Sequence, residues 1–333
     1  MNKRALRADI LLLLTACIWG FGFVAQRSGM QYIGPFAFNG IRFILGSLSL
    51  LPLIFYRKKQ NRKRSSPKRI ILYSLTAGSC LFIAVSLQQL GLIFTTAGNA
   101  GFITGLYVVL VPAAGIFLGR KTGIPTWLGA AFALAGLYFL SAAGHLDKIN
   151  PGDIVIAVSA LFWTAHVLII DALVQKIDPI VLSSGQFACC GLFALAAAFI
   201  LEPLVGVWAD TLIPQSVPGG LLDWQSLPEI IAAGKNSILM TIPAMDILIP
   251  ILYGGLGSVG IAYTLQATAQ RDAPPAHATI IMSLEGCFAA AGGALLLHEH
   301  LSSWTILGFI LMLGGMLITQ WDVIAKPHET IHQ

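Results

Sequence analysis

The chain has 333 residues, 56% of them hydrophobic and only 11% charged, with a mean hydropathy of +0.79. Soluble globular proteins carry roughly 25% charged residues, so a water-covered surface is excluded and much of the apolar sequence must face lipid. The net charge of +5 does not call for nucleic acid, because eight of the twenty basic residues fall in one run, Arg57 to Arg69, between two apolar stretches, where anionic lipid headgroups are the simpler partner.

Crossing a hydrocarbon core takes about 20 apolar residues in a helix, since every backbone polar group must be satisfied within the segment. The first such run, Ile10 to Val24, follows Lys3, Arg4 and Arg7. That charge pattern also fits a signal peptide, but the run is long, contains Trp19, Gly20 and Gly22, and has no clear small-x-small cleavage site, so it reads as a first membrane helix. Punctuation by Pro, Gly and charge places spans near 9–28, 35–56, 70–93, 99–119, 125–143, 153–173, 180–201, 247–270, 276–297 and 303–322. The expected fold class is therefore all-α integral membrane, with ten transmembrane helices. All five cysteines lie inside apolar stretches, which argues against disulfides or a zinc site.

With the N-terminus inside, sixteen of the twenty basic residues lie in cytoplasmic segments, Arg27, Lys148 and Lys235 lie outside, and Arg42 lies within a span. The positive-inside rule then predicts N-in, C-in orientation in the inner membrane. The longest polar interruption, Glu202 to Asp246, falls outside under this scheme, and its excess of Asp and Glu agrees with that side.

The sequence also repeats itself. A shift of 144 pairs Asp9 with Asp153, Trp19 with Trp163, Arg42 with Gln186 and Phe43 with Phe187; a shift of 178 pairs Gln88 with Gln266, Asn99 with His277, Leu106 with Leu284, Tyr107 with Glu285 and Gly136 with Gly314. Five spans per half is an odd number, so the second half enters the membrane in the opposite sense. The expected organisation is a first repeat over 1–144 and a second over 145–333, with a periplasmic insertion at about 203–246. Inverted repeats place a substrate site near the midplane between the halves and alternate its access by rocking.

Five stretches carry a family resemblance: IWGFGFVAQR at Ile18 to Arg27, NAGFITGLYVVLVP at Asn99 to Pro112, WLGAAFALAGLYFLS at Trp127 to Ser141, APPAHATIIMSLEGCFAA at Ala273 to Ala290, and LLLHEHLSSWTILGFILMLGGMLI at Leu295 to Ile318. As a set they make the chain similar to the drug/metabolite transporter superfamily, in its EamA-type branch, over nearly all of residues 9–322. The resemblance implies a ten-helix carrier moving a small metabolite, often outward. Two departures stand out: Gly286 occupies the place where a Pro usually follows the Glu, and the outer insertion is long.

Polar residues inside the spans supply the candidate site. An ionised Glu285 near the middle of the ninth span costs about 2.5–3.5 kcal/mol on insertion scales, so it is protonated, paired or water-facing, and a candidate for proton coupling or for fixing helix packing. Arg42, about two turns into the second span, offers five donors to a substrate carboxylate or anchors the outer interface; a pair with Glu285 is a further option. His166 suits a proton relay near neutral pH or a buried bond to backbone. Trp19 and Trp163, too deep for an interfacial belt, are expected to wall an apolar cavity or to pack between helices. Gln88, Gln266, Asn99 and Tyr107 complete the substrate-facing candidates. Gly98, Gly101, Gly105, Gly115, Gly129 and Gly136 allow close helix contact. The triplet His298, Glu299, His300 does not share a helix face and is no metal site.

The function expected is secondary transport, by export or exchange, of small metabolites such as amino acids, with no cofactor and no enzymatic step. No GxxxxGK[ST] sequence supports ATP coupling, and there is no HExxH or GxSxG. A translocase of lipid or cell-envelope precursors and a signalling or structural membrane protein are the alternatives.

Overall fold

The structure is a computed structural model and describes residues 3–30, 33–60, 66–95, 97–120, 122–141, 151–212, 244–296 and 302–325. The HEH triplet and most of the outer insertion lie outside the described residues, as does the side chain of Asn99.

The first half comprises α1 (Lys3–Gly29), α2 (Pro35–Gln60), α3 (Pro67–Phe94), α4 (Ala97–Thr104), α5 (Tyr107–Phe117) and α6 (Ile124–Ser141). The second comprises α7 (Pro151–Val174), α8 (Pro179–Leu212), α9 (Ala244–Leu252), a π-helix (Tyr253–Tyr263), α10 (Thr264–Ala269), α11 (Pro275–Met282), α12 (Glu285–Leu296) and α13 (Ser303–Ala325). Five of these helices open with proline, whose fixed φ and missing N–H suit the first helical position. Where α8 begins, Asp178 Oδ1 accepts the N–H of Ile180 at 2.9 Å, the usual side-chain cap for a first-turn donor.

Among the described residues, eight helical segments are long and apolar enough to cross a membrane, and two shorter apolar helices, Ile124–Phe139 and Ile306–Ile318, lie at the fifth and tenth expected spans. The chain is a multi-pass membrane protein. Its outward-facing side chains are apolar, with Phe117, Ile124 and Phe199 among the most exposed. All five cysteines are free thiols.

Two spans that read as continuous helices are broken. The fourth divides between Thr104 and Tyr107 and the ninth between Met282 and Glu285. In both, the backbone tightens to i→i+3 bonds: Leu106 to Ile103 O at 3.1 Å and Leu284 to Ile281 O at 3.2 Å. The breaks fall at repeat-equivalent positions, and they make Tyr107 and Glu285 the first residues of half-helices. The eighth span is irregular in another way, since i→i+5 geometry runs for 11 residues through YGGLGSVGIAY. Mid-membrane departures of this kind concentrate at functional sites.

Packing follows the repeat. The heaviest pairings, α6 with α13 and α2 with α8, join each helix to its own counterpart, while α3 against α7 is matched by the π-helix and α10 against α1. Small residues permit the closest approaches. A Cβ on Gly20 would stand 2.3 Å from Phe288 Cβ and 2.7 Å from Glu285 O, and one on Gly136 would stand 2.6 Å from Gly308 O.

Candidate functional site

A cavity lies where α1, α2, α3, α4, α5, α7, the π-helix and α12 converge. Six residues singled out by sequence line it: Trp19, Arg42, Gln88, Tyr107, Trp163 and Glu285. Five that sequence reasoning missed join them, namely Phe23, Gln26, Thr104, Ser258 and Tyr263. Gln26 was visible as a polar residue in an apolar span. Ser258 and Tyr263 sit in the glycine-rich stretch that becomes the π-helix and have no polar counterpart in the first half.

Glu285 and Arg42 carry the cavity's charge chemistry. Glu285 is buried, and its Oε1 accepts the Tyr107 hydroxyl at 2.9 Å. Arg42 is only 2% exposed. Its Nε donates to Asn39 Oδ1 at 2.9 Å, and Asn39 Nδ2 donates in turn to Val85 O at 3.2 Å. The guanidinium carbon lies 5.0 Å from the centre of the Phe43 ring and 5.7 Å from that of Phe38, a cation–π arrangement. Arg42 and Glu285 form no ion pair with each other. Tyr263 lines the cavity with both.

An aromatic wall stands beside these charges. Trp19 meets Tyr263 edge-on with ring centres 4.6 Å apart, Trp163 stacks on Tyr263 at 6.0 Å, and Trp19 and Trp163 lie 6.4 Å apart. Phe43 and Phe187, 6.1 Å from each other, back the same tyrosine. Three repeat-equivalent pairs therefore touch their own counterparts: Trp19 with Trp163, Phe43 with Phe187, and Tyr107 with Glu285.

Three further candidates stand elsewhere. His166 lies behind the wall, edge-on to Trp163 and Tyr263, with Nε2 bonded to Gln186 Oε1 at 2.9 Å. Gln266 is buried in α10 outside the cavity lining. Asn99 belongs to α4, and its repeat mate His277 bonds Asp9 Oδ1 at 2.7 Å, away from the cavity.

A seam of side chain-to-backbone bonds fixes the wall. Trp19 Nε1 donates to Ser258 O at 3.2 Å, the Tyr253 hydroxyl to Ile18 O at 2.9 Å, and the Thr15 hydroxyl is shared between Leu11 O and Ala262 O. These bonds run between α1 and the π-helix and hold Trp19 against Tyr263.

A multi-helix membrane protein with a buried, charged cavity between two repeat halves belongs to the class of polytopic transport folds. The chain belongs to the EamA-like transporter family, whose profile matches residues 6–142 and 150–321. It is 28% identical to an uncharacterized transporter of Archaeoglobus fulgidus over 96% of this chain and 88% of that one. It is 22% identical to the uncharacterized transporter YoaV of Bacillus subtilis over 92% of this chain and 94% of that one. Over 44% of this chain and 47% of the other it is 28% identical to the uncharacterized inner membrane transporter YedA of Escherichia coli. A protein of known crystal structure shares the fold at a TM-score of 0.66 and 16% identity, covering 94% of this chain and 98% of that one.

Proposed function

We propose that the protein is a secondary carrier that exports or exchanges small metabolites, such as amino acids, across the inner membrane by alternating access. In this reading ten helices cross the membrane with both termini inside, residues 1–144 and 145–333 form inverted repeats, and the substrate occupies the cavity between them. The observation that carries it is the contact of repeat-equivalent residues at the cavity, Tyr107 with Glu285 and Trp19 with Trp163. Residues that touch their own counterparts lie where the halves meet, and that is where a rocking carrier holds its cargo.

Each lining residue then has a task. Trp19, Trp163 and Tyr263 hold the apolar part of the cargo, Gln88 and Arg42 its polar part, and Glu285 couples transport to protons through its access to the cavity. His166 serves the wall, holding Trp163 and Tyr263 from behind. The transporter names of the relatives support a role without bond-making chemistry.

The test is counterflow in liposomes containing the purified protein, with a panel of labelled amino acids and small metabolites, with and without a pH gradient. Protein-dependent uptake is expected. If no member of the panel moves faster than in protein-free liposomes, the carrier reading of this cavity for such metabolites is lost.

A further inference from the structure

Among the residues lining the cavity, Arg42 is the permanent cation. It is held from behind by Asn39 and flanked by Phe38 and Phe43, and its two terminal nitrogens have no hydrogen-bond partner among the described residues. A buried guanidinium with open donors is costly to keep unless an anion completes it. Its planar fork matches a carboxylate, which accepts two parallel N–H bonds. The apolar wall of Trp19, Trp163 and Tyr263 lines the same cavity.

Glu285 adds a condition. The titratable or charged groups facing the cavity with it are Tyr107 from α5, Tyr263 from the π-helix and Arg42 from α2; α1, α3 and α7 bring Trp19, Phe23, Gln26, Gln88 and Trp163, which do not titrate. With Glu285 ionised the empty cavity is neutral overall. A zwitterionic cargo leaves it neutral. A monoanion leaves an excess negative charge unless Glu285 gains a proton. Net charge is expensive in a low-dielectric interior, so the neutral combinations are the ones that cross.

We propose that the cavity selects small apolar or aromatic carboxylates through Arg42, and that Glu285 takes up one proton when the cargo is a monoanion and none when it is a zwitterion. The inference rests on the carrier reading and deepens it by fixing cargo class and proton count. The proton comes from water on the loading side and returns to water on the release side as the carboxylate leaves. Nothing is oxidised or reduced.

Three probes share one skeleton: L-phenylalanine, a zwitterion; 3-phenylpropionate, a monoanion; and phenethylamine, which lacks the carboxylate. Titration calorimetry of the full chain in nanodiscs, repeated in buffers of different ionisation enthalpy, counts protons taken up on binding. The expected result is that 3-phenylpropionate takes up about one proton more than phenylalanine in the wild type and that this difference disappears in Glu285→Gln. Phenethylamine should bind at least 10-fold more weakly than phenylalanine. Arg42→Gln should weaken both carboxylates by about 10- to 100-fold, the range of charge-assisted hydrogen bonds, and Arg42→Lys, which keeps the charge and loses the fork, by less. Arg42→Lys also carries the test should Arg42→Gln fail to fold.

Equal proton counts for the two carboxylates overturn the proposal, as does binding of none of the three probes. Protein-dependent counterflow of a compound without a carboxylate, undiminished in either Arg42 variant, also overturns it and leaves the carrier reading standing.

Discussion

Tyr107 and Glu285 are the same position in the two halves of the chain, 178 residues apart, and they hydrogen bond to each other at 2.9 Å. A residue in contact with its own counterpart lies where the halves are joined, so any rocking of one against the other must work on this bond. Glu285→Gln keeps the shape and removes the titratable group. Transport of a monoanionic carboxylate driven by a pH gradient should fall at least tenfold while the protein still elutes as a sharp peak in size-exclusion chromatography. Tyr107→Phe removes the donor and leaves the carboxyl without it, at a cost of about 1–3 kcal/mol, seen as a lower thermal midpoint.

The two tryptophans should respond differently to the same change. Trp19 Nε1 donates to Ser258 O, whereas Trp163 Nε1 finds no partner among the described residues. Trp19→Phe is expected to cost about 1 kcal/mol and to loosen α1 from the π-helix. Trp163→Phe keeps a ring to stack on Tyr263 and breaks no hydrogen bond, so its cost, about 1 kcal/mol, is that of lost packing alone and should leave the contact of α1 with the π-helix intact. Hydrogen exchange of the α1 and π-helix amides separates them, and equal protection in the two variants would count against the seam.

Gly20 and Gly115 make a similar contrast. At Gly20 an added Cβ meets Phe288 Cβ at 2.3 Å, while at Gly115 the nearest atoms, Arg120 Cβ and Cδ, are 3.7 Å away. Gly20→Ala should force α1 from α12 and cost about 1–3 kcal/mol, as overpacking does. Gly115→Ala should be neutral or slightly stabilising, because glycine is a poor helix former. Yield of monodisperse protein is the readout.

Glu202, near the end of the seventh span, caps a helix of the other half. Its Oε1 accepts the N–H groups of Phe36 at 2.8 Å and Ala37 at 2.9 Å, at the start of α2, where a helix leaves donors without partners. Glu202→Ala should destabilise by about 1–2 kcal/mol and Glu202→Gln, which keeps an acceptor, by about half of that. Comparing the two melting curves checks the cap.

Much of this was legible in the sequence, for identifiable reasons. Hydropathy marks the long spans because lipid demands length and apolarity at once. The duplicated Trp19 and Trp163, and the carboxyl Glu285 near the middle of its span, stand out because such groups are costly to place at that depth. Gln266 shares a register with Gln88 but sits on α10, outside the cavity lining and beyond a π-helix that has no counterpart in α3. That π-helix, and the breaks before Tyr107 and Glu285, depend on where individual backbone bonds go, and apolar periodicity is blind to that. Tyr263, which lines the cavity together with Arg42 and Glu285, was missed because Val85 is its counterpart and nothing in the first half points to it.

The seam between α1 and the π-helix has an evolutionary corollary. Its donors are side chains of Thr15, Trp19 and Tyr253, but its acceptors are backbone carbonyls of Ala262, Ser258 and Ile18, which survive a change of residue. Position 258 supports Trp19 with its carbonyl while its residue lines the cavity. It is thus a site where the lining can drift without unfastening the scaffold.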